Sequence, residues 1–397
     1  MEELTKYKLG EIAKIYNGST PSTLDASNYD GDIIWATPKD LSDQNSKYFS
    51  KGARNITQKG FDSCSTQMIP ANNILMSSRA PIGLFAINTI DCCTNQGFKN
   101  IVLDKAIADV DFMYYFLKYH VKEIEALGSG TTFREVSKTA FEKYEISIPS
   151  LPTQQKIASV LSKLDRKISV NREINRNLEE LAKQIYDYWF VQFDFPNKEG
   201  KPYKSSGGKM VYNEVLKREI PAGWEIKKIS SQIKENIGGD WGKEEPEGNY
   251  QLKVSCCRGA DLVSMTDLPT RYILNSNSYK LLKEDDMIVE ISGGSPTQAT
   301  GRCVLISKEI LNSFNDKLIC SNFCQALSIS DKDYVSYFYY IWKMFYNSDV
   351  FFNFEGKTSG IKNFQYDTFV AEKWYFPPKD LAKKFRRIFI IASRRNR

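Results

Sequence analysis

The chain has 397 residues, 42% of them hydrophobic and 13% aromatic, with 54 Lys and Arg against 48 Asp and Glu. That length predicts two or three domains rather than one. No apolar run approaches the ~18–20 residues of a membrane span, and the charged start MEELTKYKLGE lacks a secretory h-region, so a cytoplasmic protein with no membrane partner is expected.

The net charge is +6, yet residues 379–397 hold eight Lys or Arg against the single acid Asp380. The rest of the chain is close to neutral, and bulk charge alone does not point to nucleic acid. Eight cysteines form no C-x-x-C and the single histidine is His120, so no four-ligand zinc site is expected and the thiols read as buried and reduced. His120 follows YYFLKY on an expected helix, where a structural or surface role fits better than catalysis.

In chain order, residues 1–150 read as a mixed α and β domain. ILMS, GLFAI, IVL and EISI are strand-like, and VDFMYYFLKYHVKEIEAL is helical with its aromatics on one face. Residues 151–193 obey a heptad. With Ile157 at position a, the a series is Ile157, Leu164, Asn171, Leu178 and Ile185, and the d series is Val160, Lys167, Ile174, Leu181 and Tyr188. Pro152 suits a first turn and Pro196 lies beyond the end, predicting a helix of roughly 57 Å. Its narrow stripe calls for one partner helix, with Leu161 beside it. Residues 194–223 are rich in Gly, Pro, Lys and Ser and read as a linker. A second mixed domain spans 224–377, with DMIVEI, RCVLI and KWYF as strands. Residues 378–397 form a short helix with Leu381, Phe385, Ile388 and Ala392 on one stripe.

The two halves resemble each other. At an offset of 228, Phe133 falls on Ile361, Phe141 on Phe369, Ile146 on Trp374, Ile148 on Phe376 and Pro149 on Pro377. TNQGFKNIVL (94–103) lies over SNFCQALSI (321–329), 68–87 over 282–306, and YKLGEIAKI (7–15) over WEIKKISSQ (224–232). The shared order predicts a tandem pair of domains with one fold, each followed by a helix.

Motifs for chemistry are missing from the sequence. A methyltransferase needs [D/N/S]-P-P-[Y/F/W], and the only Pro-Pro is Phe376-Pro377-Pro378-Lys379. Glu199-Gly200-Lys201 and Glu355-Gly356-Lys357 resemble the end of a nuclease pattern, but no Pro-Asp opens it. SGGSPTQATG (292–301) is Gly-rich without a phosphate-loop Lys and reads as a turn between strands. One histidine does not support a Ser–His–Asp triad. A non-catalytic chain is expected.

The order of domain, LPTQQKIASVLSKLDRKI helix, DFPN linker and a second domain opening on IPAGWE resembles the specificity subunit of type I restriction–modification systems. YKLGEIAKIYNGSTPST and IIWATPKDLS are similar to the start of that family's first target-recognition domain. The resemblance covers residues 4 to about 388. It implies two target-recognition domains related by a pseudo-two-fold axis and joined by long antiparallel coiled-coil helices. Each domain reads one half of a split double-stranded DNA target. The implied partners are DNA methyltransferase (modification) subunits and helicase-nuclease restriction subunits, which carry S-adenosylmethionine, ATP and Mg; this chain holds no cofactor and no metal. Asn171 and Lys167 on the seam would fix register in a rod that acts as a ruler.

Base readout favours Arg, Lys, Asn and Gln, and backbone contact favours Ser, Thr and Lys. Polar loops at matched places give Ser19, Thr20, Thr37, Lys39, Ser78, Arg79, Thr132 and Arg134 in the first half. Lys243, Arg258, Thr297, Gln298, Lys357 and Lys362 are their counterparts in the second. The helical contacts fall on Ile157, Leu161, Leu164, Ile174, Leu178, Leu181, Ile185, Leu381, Phe385 and Ile388. The tail is shorter than the central helix, which keeps a second reading open: a truncated or regulatory relative that needs a second copy to assemble. A fused methyltransferase–specificity enzyme is the third reading, disfavoured by the missing motifs.

Overall fold

The computed structural model describes residues 4–44, 46–130, 134–293, 297–358 and 361–394, with backbone alone at 357, 358, 393 and 394. It divides into two compact units, Met1–Val170 and Asn171–Arg397. The border falls inside one long helix, Leu151–Tyr186, so each unit owns a share of it.

The first unit contains β1 (Thr5–Lys8), β2 (Ala13–Asn17), β3 (Tyr29–Ala36), β4 (Tyr48–Phe49), β5 (Arg54–Ile56), β6 (Ile74–Ser78), β7 (Ile82–Asn88), β8 (Cys93–Thr94), β9 (Lys99–Leu103) and β10 (Glu145–Ile148). A five-stranded sheet runs β2-β9-β6-β7-β4, a three-stranded sheet runs β5-β3-β8, and β1 pairs antiparallel with β10. Successive strand residues point to opposite faces. Ile74 and Met76 therefore pack with Phe112, Met113 and Leu117 of the helix Val110–Tyr119, while Leu75 packs with Phe49, Ala86 and Phe98. Burial on both faces explains why ILM is a continuous apolar run.

The second unit begins with a hairpin of β11 (Met210–Asn213) and β12 (Arg218–Pro221). Then come β13 (Glu225–Lys228), β14 (Ile233–Gly238), β15 (Tyr250–Cys257), β16 (Thr270–Leu274), β17 (Met287–Glu290), β18 (Ser292–Gly293), β19 (Cys303–Leu305), β20 (Lys317–Cys320) and β21 (Cys324–Ile329). The last three are β22 (Glu355–Thr358), β23 (Ile361–Phe364) and β24 (Lys373–Phe376). The sheet orders repeat those of the first unit. β14-β21-β17-β19 matches β2-β9-β6-β7, and β16-β15-β20 matches β5-β3-β8, including one antiparallel and one parallel pairing in each. β13 pairs with β24 as β1 does with β10. The core alternation recurs as well: Met287, Val289 and Leu327 face one cluster, Ile288 and Ala326 another.

Phe141 and Phe369, matched by the offset, are both buried in short helices, Lys138–Glu142 and Tyr366–Val370. Where each domain begins, the match shifts. Thr5 opposes Ile148 and Glu225 opposes Phe376, so YKLGEIAKI over WEIKKISSQ is displaced by three residues. Both opening strands are mostly polar and give an overlay few apolar landmarks. Phe133 lies outside the described residues.

Segment 194–223, composed like a linker, is folded onto the second unit. The Asp194 carboxylate accepts from Ser205 N at 2.7 Å and Ser205 Oγ at 2.6 Å. Tyr203 stacks on Phe195 at 4.6 Å, and Arg218 lies over the rings of Phe193 and Tyr375. Aromatics scattered among the Gly and Pro supply the buried area that composition conceals.

The long helix is held at each end by an i, i+4 row. In the first unit Gln154, buried, donates from Nε2 to the carbonyls of Ile107 and Pro149 and accepts from Asp109 N. Ala158 follows in the core. Ser162 then accepts from Lys47 Nζ at 2.9 Å, and Lys47 also reaches Asp111 at 2.7 Å and Tyr115 Oη at 3.0 Å. Tyr115 donates to Asp165 at 2.5 Å. In the second unit the row is Ala182, Tyr186 and Phe190. The heptad stripe lies on a different face: Ile157, Leu164, Ile174 and Leu181 are 40–53% exposed, and Leu161, Leu178 and Ile185 are half-buried. The packed face uses small and polar residues, which a search for apolar periodicity does not register.

The C-terminal helix, Lys379–Arg394, buries Leu381, Ala382 and Phe385. The Phe385 ring sits among Tyr186, Trp189, Phe190 and Tyr340, with centroids 5.1–6.3 Å apart. Ile388 is half-buried outside this cluster; Phe389 takes its place on the next turn, and Ala392 follows as the stripe predicts.

Candidate nucleic-acid interface

In the first unit β2 ends at Asn17, which faces Lys99 across the ladder, and Gly18 follows. A Cβ on Gly18 would stand 2.0 Å from the carbonyl oxygen of Asn95, so the chain passes there only as glycine. Ser19 N then donates to Thr94 O, and the Thr20 hydroxyl bonds the Gln96 side chain. A polar cleft of about 600 Å³ opens beside this crossing, lined by Asn17, Ser19, Gln96, Lys99, Glu135 and Lys138 among others.

Glu135 organises the cleft. Its carboxylate takes Lys99 Nζ at 2.9 Å, Ser78 Oγ at 3.4 Å and Arg79 at 3.7 Å. Lys99 is almost wholly buried, whereas Arg79 and Glu135 are each about one-third exposed. Two cations thus meet one carboxylate, with Lys138 on the rim. Arg134 is exposed and donates to Gly128 O. The structure therefore gathers Ser19, Thr20, Ser78 and Arg79 about one feature, while the Arg134 side chain turns to Gly128. Thr37 is committed to Asp40, donating from N at 2.7 Å and Oγ1 at 2.6 Å, and Lys39 is exposed nearby. Thr132 lies outside the described residues.

The second unit repeats the crossing. Gly238 faces Gln325 across the ladder, and a Cβ on Gly239 would lie 2.0 Å from Ser321 O. Asp240 N donates to Cys320 O as Ser19 N does to Thr94 O. A cleft of about 520 Å³ opens in the matching place, with Gln325 where Lys99 stands, Asn363 for Glu135, Gln365 for Ser137 and Tyr366 for Lys138. Asn236 and Asp367 also line it.

The cations expected to face DNA in this unit are largely paired within the protein. Lys362 Nζ, 15% exposed, binds Glu355 at 2.9 Å and Gln298 O at 3.3 Å. Arg258 clasps Asp261 with two nitrogens at 2.9 and 3.0 Å, and Lys243 pairs with Glu247 at 3.4 Å. Gln298 donates to Tyr346 Oη at 3.2 Å, and Thr297 is likewise engaged. Lys357 is described by backbone alone. Lys99, Glu135, Gln325, Asn363 and Gln365 were missed by loop-based reasoning because Lys99 and Gln325 lie in strands, at the first residue of β9 and the second of β21. The signal was a polar residue opening both IVL-type runs, visible once 94–103 is laid over 321–329.

Among the described residues no group of three or more His, Cys, Asp or Glu is placed to hold a metal ion, and no helix is long and apolar enough to cross a membrane. A fold built twice, presenting the same cleft with different side chains, is the form of a two-site recognition protein. A family model for the type I restriction modification DNA specificity domain matches residues 1–180. The type I restriction enzyme MjaIX specificity subunit of Methanocaldococcus jannaschii is 33% identical over 304 residues, covering 74% of this chain and 67% of that relative. The EcoR124I/EcoR124II specificity subunit of Escherichia coli is 28% identical over 203 residues, or 48% of each chain. The crystal structure of the type I restriction–modification S subunit from M. genitalium has a TM-score of 0.58 at 16% identity, covering all of this chain and 90% of that one. The chain belongs to the family of type I restriction enzyme specificity subunits.

Proposed function

We propose that this chain reads a bipartite double-stranded DNA sequence, one half per unit, and directs partner subunits to it. The observation that carries this is the matched pair of clefts, built on one strand order but lined by Lys99, Glu135 and Lys138 in one unit and by Gln325, Asn363 and Gln365 in the other. A common scaffold with different polar linings suits two different half-sites. In this reading the chain is not itself an enzyme. Methyl transfer and cleavage belong to modification and restriction subunits, which bring S-adenosylmethionine, ATP and Mg. The open stripe of the long helix, Ile157, Leu164, Ile174 and Leu181, suits docking of a modification subunit. The same stripe favours a second reading, pairing with another copy of this chain. Selection from a randomised duplex library with the purified chain is the test. Two short motifs at a fixed spacing are expected; one continuous motif, or no enrichment, refutes the proposal.

A further inference from the structure

The short helices behind the two clefts begin differently. In the first unit Ser137 accepts from Ala140 N and caps its helix. The equivalent residue in the second unit, Gln365, makes no side-chain cap and is exposed at the cleft rim. Glutamine is not among the preferred caps, so this position gives up a local stabilisation that its counterpart keeps. Such a broken local rule is characteristic of a functional position. Beneath it, the Gln325 Oε1 atom is buried with no hydrogen-bond partner among the described residues. An orphaned buried carbonyl is unfavourable unless something else supplies a donor. Asn236 and Asn363 complete a lining dominated by amides, with Asp367 as its one charged group.

A side-chain amide offers one acceptor and two donors on a common plane. That matches adenine, whose major-groove edge presents an N6 donor beside an N7 acceptor. Guanine presents two acceptors there and would leave the amide oxygen facing another acceptor. The first unit's cleft also holds two amides, Asn17 and Gln96, but its other polar lining is charged, with Lys99, Glu135 and Lys138 and with Arg79 paired to Glu135, where the second unit has Gln325, Asn363 and Gln365.

We propose that Gln365, supported by Gln325, reads an adenine in the half-site recognised by the second unit. This rests on the DNA-reading function proposed above and adds a base and a residue to it. The test is Gln365→Ser in the full chain, with the motif from randomised-duplex selection and competition binding as readouts. Serine is a better cap residue than glutamine, and Gln365 is exposed, so the variant is expected to melt no lower than the parent, which separates lost readout from misfolding. One A·T position in one half-motif is expected to lose its preference, from roughly tenfold to hundredfold down to near none, with the other half-motif intact. A half-motif unchanged at every position overturns the assignment, as does a change confined to the other half-motif. If the parent chain enriches no bipartite motif, the proposed function fails instead.

Discussion

Replacing Phe385 by alanine tests whether the C-terminal helix is locked to the end of the long helix. Phe385 is fully buried, and four rings from Tyr186, Trp189, Phe190 and Tyr340 surround it. Truncating a buried phenylalanine costs about 3–5 kcal/mol through lost transfer energy and the cavity left behind. Aromatic pairs at these separations add about 0.5–1.5 kcal/mol beyond burial, placing this site in the upper half of that range. For a unit of this size, about 4 kcal/mol lowers Tm by roughly 8–16 °C. Five of the six tryptophans, Trp189, Trp224, Trp241, Trp342 and Trp374, lie in the second unit, so tryptophan fluorescence follows its unfolding almost alone. Ile388→Ala, outside the aromatic cluster, is the control and is expected to shift Tm by less than about 4 °C. A Phe385→Ala transition within 2 °C of the parent, with 2 °C taken as about 1 kcal/mol, refutes the packing argument.

Lys47→Met keeps the aliphatic stem but removes hydrogen bonds to Asp111, Tyr115 and Ser162. With Asp111 about one-third exposed, a loss of about 2–4 kcal/mol in the first unit is expected. Faster amide exchange near 158–166 is its local signature, and unchanged protection there contradicts the reasoning. The thiols give a pH dependence. Burial pushes Cys92, Cys93, Cys256 and Cys324 from 9.0 up to about 12. Above pH 9 the unfolded chain releases these protons first and binds fewer than the folded chain, so stability falls as pH rises from about 9 towards 12. Denaturant midpoints between pH 8 and 10.5 check this by comparing the parent with a Cys92→Ala, Cys256→Ala variant; equal slopes count against buried thiols as the cause.

The sequence by itself determined the duplication, the mixed α and β class and the long central helix. Each rests on local or repeated signals: apolar runs such as ILM and MIV, the heptad through Ile157 and Leu178, and the preserved order of matched segments. Tertiary structure decided which helix face packs. Gln154, Ala158, Ser162 and Ala182 are small or polar, and they pack, the first two and Ala182 buried, because Ile107, Lys47 and Tyr186 lie beside them, not because of their own hydrophobicity. It decided that 194–223 folds, since Asp194 finds Ser205 and Phe195 finds Tyr203 only when the chain turns back. It also decided which polar residues share a cleft. Lys99 and Glu135, or Gln325 and Gln365, are 36 and 40 positions apart along the chain, and only the packing of the strand against the loop before each short helix brings them together. Spacing along a sequence records periodicity within an element; proximity between elements is set by how their buried faces meet.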